Sequence, residues 1–159
     1  MRLEAIKLCL FVFYLLLIFM FAFNNALNFD DNFQFFSHVS SMDTTFDPGS
    51  ARRIVNPLLH HLAFISIILW QCLTVLGSDL GCYQYRRSRT FSLVNVSLLM
   101  GIALYFFCFL CVASEWFVMW QSVKWNAQST AIGFSTIFLL LLVVINLPSL
   151  VNHDVKRAQ

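Results

Sequence analysis

The chain has 159 residues, of which 59% are hydrophobic, 11% are charged, and the formal net charge is +2. Soluble domains carry roughly 25% charged residues, so lipid rather than water is the expected solvent. A charge this small, placed as described below, also excludes nucleic acid as a partner.

Four apolar stretches approach the roughly 20 residues needed to cross about 30 Å of hydrocarbon: Leu8–Phe23, Leu58–Leu76, Phe91–Ser114 and Thr130–Leu147. With their flanks they predict spans over residues 6–26, 57–78, 91–116 and 130–149, with the fourth helix running on to Asn152. The expected fold is all-α, a four-transmembrane-helix bundle in a single membrane domain, with the lipid bilayer as its first partner. Arg2 and Lys7 ahead of the first stretch resemble the start of a signal peptide. Its apolar core is longer than the usual h-region and no small-residue cleavage site follows, so it is read as a retained helix.

Between the first two spans lies a long loop, Asn24 to Asn56. Phe29, Phe33, Phe36, Val39 and Met42 recur in it at helical spacing, which predicts an amphipathic segment on the membrane surface, with Asp30 or Asp31 as its N-cap. Asp47-Pro48-Gly49-Ser50 reads as a turn, and Asn56-Pro57 as a capped helix start. The second span is expected to end near Gly77-Ser78, before the basic stretch Arg86-Arg87-Ser88-Arg89.

The third span leads into EWFVMWQSVKWN, residues 115–126, where α-helical spacing would put Trp116 and Trp120 on one face. The amides Gln71, Asn95 and Asn146 are all expected in the inner third of the bundle, where they need partners. Ser97-x-x-x-Gly101 and Ala131-x-x-x-Ser135 offer small faces for close helix approach.

Lysine and arginine set the orientation. With the N-terminus inside, Arg2, Lys7, Arg86, Arg87, Arg89, Lys156 and Arg157 collect on the inner side, against Arg52, Arg53 and Lys124 outside. Both termini are therefore expected in the cytoplasm, and both connecting loops that carry aromatic residues outside. The five cysteines fall in predicted spans or, for Cys82, on the reducing side, and read as small buried apolar residues rather than a disulfide framework.

Candidate chemistry is sparse. Tryptophans at residues 116, 120 and 125 suit the headgroup boundary, but Glu115 at a helix end is a site candidate, with Lys124, Arg52 or Arg53 as its expected partner. His38, Met42, His60 and Met119 include residue types that ligate copper or haem iron, without close ligand pairs in the sequence. Cys108-Phe-Leu-Cys111 has redox spacing and slightly resembles the disulfide-forming quinone reductases of bacterial inner membranes, but the second, loop-borne cysteine pair is missing. No glycine loop, catalytic triad or paired carboxylate is present in the spans, so neither a catalytic residue nor a cofactor is assigned.

Two stretches resemble the signatures of a known family. His38-Val39-Ser40-Ser41-Met42-Asp43-Thr44-Thr45-Phe46 is similar to H-V-x-S-M-D-T-T-F of domain-of-unknown-function family 2165, small integral membrane proteins of bacteria. Glu115 to Ser122 with Trp125-Asn126 resembles its second signature, E-W-F-x-M-W-Q-S-x-x-W-N. Asn24-Asn25 and His60-His61 also sit where that family has such pairs, while Ser114 and Ala127 replace its glycines.

The resemblance implies a bacterial inner-membrane location and brings no activity. One signature lies in each outer loop, so a jointly built extracytoplasmic cap is expected from His38, Met42, Asp43, His60, Glu115, Trp116, Met119, Trp120, Gln121, Trp125 and Asn126. Within it, Asp43 and Glu115 should find donors among Arg52, Arg53, Lys124, His60 and the indole N–H groups, and Trp120 should anchor the fold-back. The favoured function is a non-enzymatic membrane protein binding a partner protein, an oligomer mate or lipid through this cap. The alternative is a quinone- or haem-linked subunit of a membrane redox enzyme.

Overall fold

The computed structural model describes residues 3–148. Among them are five α-helices and no strand: α1 (Leu3–Leu27), α2 (Phe29–Ser41), α3 (Pro57–Ser88), α4 (Ser92–Ile102) and α5 (Gln128–Asn146). From Ala103 to Trp116, α4 continues as a wider π-helix, and a short 3₁₀ turn follows over Met119–Gln121. Four helical stretches, Leu3–Leu27, Pro57–Ser88, Ser92–Trp116 and Gln128–Asn146, are long and apolar enough to span a membrane. The expected continuation to Asn152, and the flanking cations Arg2, Lys156 and Arg157, lie outside the described residues.

Each helix buries one narrow stripe and leaves its apolar remainder facing outward, as lipid rather than water permits. In α1 the stripe is Lys7, Phe11, Tyr14, Ile18 and Ala22, spaced three or four residues apart. The inward stripe of α3 is mostly polar or small: His60, Phe64, Gln71, Thr74, Ser78, Gly81 and Tyr85. Leu62, Leu69, Leu73, Leu76 and Leu80 of the same helix are exposed. Small and hydroxyl-bearing residues at a membrane helix interface let backbones approach and bond across.

α3 packs against α1 and α4, while α5 packs against α4, its π-helical continuation and α1. One tight contact is at Gly81, where an added Cβ would lie 3.1 Å from the Val94 backbone; another centres on Gly101, where it would lie 2.5 Å from the Tyr14 hydroxyl and 3.3 Å from the Phe138 ring. That hydroxyl is fixed, because it donates to the Ser97 carbonyl at 2.6 Å. Ser97 also donates to the Thr74 carbonyl at 3.1 Å and meets the Ser78 hydroxyl. The two small faces, Ser97–Gly101 and Ala131–Ser135, are buried as expected.

Three local features differ from expectation. α3 does not end at Gly77-Ser78 but runs to Ser88, 32 residues in all, or about 48 Å. Neither residue caps it: Ser78 donates back to the Thr74 carbonyl at 2.8 Å, and Gly77 faces Ser97 of α4, whose Cβ would lie 3.9 Å from an added Cβ. The helix stops instead at Arg89, whose left-handed backbone (φ 56°) returns its N–H to the Tyr85 carbonyl.

The amides divide as a result. Asn95 and Asn146 exchange reciprocal hydrogen bonds of 2.9 Å. Gln71, now near the middle of α3, accepts from Asn25 at 2.9 Å, close to the far end of α1. So Gln71 does not share a level with the other two amides.

The N-cap of α2 is Asn28, not Asp30 or Asp31. The chain bends from α1 almost without interruption, because Asn28 N–H reaches the Asn24 carbonyl and Asn32 N–H the Asn28 carbonyl. The two aspartates fall in the first turn of α2, where they still complement the helix dipole. The apolar stripe of α2 packs on the start of α3, with the Phe33 ring 4.2 Å from His61 and the Phe29 ring 5.1 Å from Phe64. Expected features that hold are the turn at Asp47–Ser50, closed by a 3.2 Å bond, and the Asn56 cap, whose side chain accepts from Leu58 N–H at 2.9 Å.

Candidate functional site: the cap

The two signatures meet at one end of the bundle. A small apolar core of Val39, Met42, Phe117 and Met119 joins them, with Phe35, Ile54, Val112 and Trp125 packed around it. Met42 and Met119 are 0% and 1% exposed, so each loop contributes one fully enclosed thioether side chain. Unbranched and polarisable, methionine suits an irregular gap between loops.

Left-handed backbone turns place both side chains. Met42 (φ 55°) ends α2, returning its N–H to the Val39 carbonyl. Val118 (φ 48°) breaks the chain after the π-helix, and the 3₁₀ turn of Met119–Gln121 starts there. Non-glycine residues with positive φ are uncommon, and for a β-branched valine the conformation is an outlier. This break also separates Trp116 from Trp120, which do not share a helical face.

Polar contacts lock the two loops together. Thr44 Oγ1 donates to Ser122 Oγ at 2.9 Å and Phe46 N–H to Gln121 Oε1 at 3.0 Å, while Ser122 Oγ also accepts from Trp125 N–H of its own loop at 2.9 Å. The His38 imidazole stacks on the Trp125 indole, 4.6 Å between centroids and 9° between planes, and its Nδ1 meets Asp43 Oδ2 at 2.6 Å. The Lys124 ammonium lies 4.4 Å from the same indole centre. Asn126 Oδ1 accepts from the N–H of Gln128, the first residue of α5, at 3.0 Å, while its amide reaches the Trp120 carbonyl at 3.4 Å.

None of the expected partners of the two acidic groups is found among the described residues. Asp43 pairs with His38, not with Arg52, Arg53, Lys124 or His60. Glu115 is exposed and makes no ion pair or hydrogen bond among the described residues. The arginines expected to pair with it are engaged elsewhere. Arg53 donates to the Pro48 carbonyl at 3.0 Å, and Arg52 lies 6.0 Å from the Trp116 ring centre.

His60 is buried, with Nε2 on the Ile54 carbonyl at 2.8 Å. Ile54 N–H in turn reaches the Ser40 carbonyl at 2.9 Å. This histidine therefore staples the loop to α2 and α3. His38, Met42, His60 and Met119 do not form one ligand set: the methionines sit in the apolar core and each histidine has its own oxygen partner. Among the described residues no three His, Cys, Asp or Glu side chains come close enough to hold a metal ion.

Trp120 and Trp116 are 46% and 55% exposed, so neither ring is the buried anchor that the sequence suggests for Trp120. Met119 has that place. Phe46, 80% exposed, meets Trp120 edge-to-face at 6.5 Å, and Val123 at the loop tip is fully exposed. Thr44, Phe46 and Ser122 belong to the cap without having been singled out as candidates, although all three fall inside the signatures.

Away from the cap, Cys108 is half-buried and Cys111 exposed, both free thiols. Cys9 and Cys72 are also exposed, so these cysteines are apolar surface residues more than core residues.

Neither a curated protein nor a solved structure matches the chain. A family model described as predicted small integral membrane protein (DUF2165) matches residues 3–148. That span takes in all four apolar helices and both halves of the cap. The chain belongs to this family of small integral membrane proteins.

Proposed function

We propose that this is a non-enzymatic protein of the bacterial inner membrane, with both termini cytoplasmic, whose extracytoplasmic cap binds a partner protein. The observation that carries the reading is an exposed aromatic surface on a fixed base. Phe46, Trp116, Trp120 and Val123 face outward, with Arg52 beside Trp116, above the enclosed Met42 and Met119. Trp and Arg are the residue types that dominate binding energy at protein interfaces. A cap already ordered by hydrogen bonds loses little entropy on association.

The orientation rests on the cations. Arg86, Arg87 and Arg89 cluster at the end of the bundle opposite the cap, and the cap carries Arg52, Arg53 and Lys124. Lys7 lies at the same end, so the balance among the described residues favours that end as cytoplasmic.

A photo-crosslinking amino acid at position 46, activated in native membranes, tests the reading. A discrete protein adduct that is lost on Trp120→Ala supports it. Adducts to lipid alone would replace the protein partner with the bilayer surface, and no adduct of either kind would contradict cap binding.

A further inference from the structure

At the end opposite the cap, the helices leave an open cavity of about 1050 Å³. Lys7, Arg89, Thr90, Ser92 and Asn95 contribute polar groups to its lining. Leu8, Ile145 and Leu147 give it an apolar wall.

The charges in this cavity are unevenly satisfied. Among the described residues its one carboxylate, Glu4, is held by the Lys7 ammonium at 3.5 Å and by the Tyr85 hydroxyl at 3.1 Å. Lys7 is almost wholly buried and also donates to the Leu147 carbonyl. An ammonium has three donors, so one remains without an oxygen partner, beside the Phe91 ring whose centre lies 5.6 Å from the nitrogen. The Arg89 guanidinium lies 5.4 Å from the Tyr85 ring centre and has no acidic partner among the described residues.

We propose that this cavity binds the phosphate of an anionic phospholipid. Arg89 takes the phosphate, whose geometry matches a guanidinium fork, and the remaining Lys7 proton adds a second charge-assisted bond. One acyl chain lies along Leu8, Ile145 and Leu147. Basic pockets between membrane helices hold acidic headgroups in this manner. Among the described lining residues, two cations against one carboxylate disfavour a zwitterionic headgroup, whose own ammonium would be repelled.

The test is lipid retention by the full-length protein in mild detergent, read by native mass spectrometry with phosphatidylglycerol or phosphatidylcholine added. Phosphatidylglycerol should be retained about fivefold more, the factor equivalent to about 1 kcal/mol for one basic residue. Arg89→Asn should abolish the preference, since asparagine accepts the left-handed backbone at that position. Thr90→Asp, on the same wall, should abolish it too, which gives a second variant should one fail to fold. Arg87→Gln, outside the lining, should keep it.

Excess inorganic phosphate should leave the lipid in place; displacement would assign the site to a free phosphate and overturn the lipid reading. Equal retention of the two lipids, or equal losses from Arg87→Gln and Arg89→Asn, would overturn the site itself.

Discussion

The His38 imidazole lies flat on the Trp125 indole, 4.6 Å between ring centres, and so joins residues that are far apart in sequence and belong to different loops. The contact is reinforced on both sides, by Asp43 on the imidazole and Lys124 over the indole. Beneath it Met42 and Met119 fill the gap between α2 and the 3₁₀ turn. Stacking, charge and packing thus act on the same junction, which explains why segments with few regular backbone bonds hold one arrangement.

The cap core predicts a sharp contrast between adjacent residues. Met119→Ala removes a side chain that is 1% exposed and should cost about 2–5 kcal/mol of cap stability. Trp120→Ala, with its ring 46% exposed, should cost clearly less. Limited proteolysis of residues 43–56 measures both. Cleavage should accelerate strongly in Met119→Ala and only slightly in Trp120→Ala, and the reverse order would refute this packing.

Two glycines make the matching contrast within the bundle. Gly101→Ala drives a methyl into the hydrogen-bonded Tyr14 hydroxyl, an overpacking that typically costs about 1–3 kcal/mol. Gly133→Ala meets nothing within 4 Å and should be neutral. Thermal unfolding in detergent should show a lowered midpoint for the first variant alone.

Topology has its own test. Gln84 lies near the end of α3, far from the cap. Reporter fusions after residue 84 and at the C-terminus should be active only with a cytoplasmic reporter. A periplasm-active fusion at either point would invert the assignment of the two ends.

Much of the frame is legible in the sequence because its signals are local. Asn56-Pro57 and Asp47-Pro48-Gly49 specify their turn and cap through side chains that bond within a few residues. The spans follow from apolar length. What sequence does not convey is where an apolar helix stops or widens when lipid surrounds it. Gly77-Ser78 resembles an ending, but both residues serve the approach of α4 instead, so the helix continues and Gln71 moves to the level of Asn25.

The π-helix from Ala103 to Trp116 is equally hidden, since a segment apolar on all sides carries no period that distinguishes it from an α-helix. That misplacement carries into the cap. Glu115 and Trp116 turn outward, and the left-handed Val118 sends Met119 inward in place of Trp120. The signatures mark the right residues, yet which of them are buried depends on a single backbone break.

The most direct measurement of whether the two signatures build one cap is a cysteine pair replacing Thr44 and Ser122, whose hydroxyl oxygens are 2.9 Å apart. In a variant with the five native cysteines replaced, Thr44→Cys with Ser122→Cys should form an intramolecular disulfide under mild oxidation. Labelling with a mass-tagged maleimide would then add no tag before reduction and two tags after it, while each single variant adds one throughout. Two tags on the oxidised double variant, with both thiols as reactive as in the single variants, would mean that the loops do not meet.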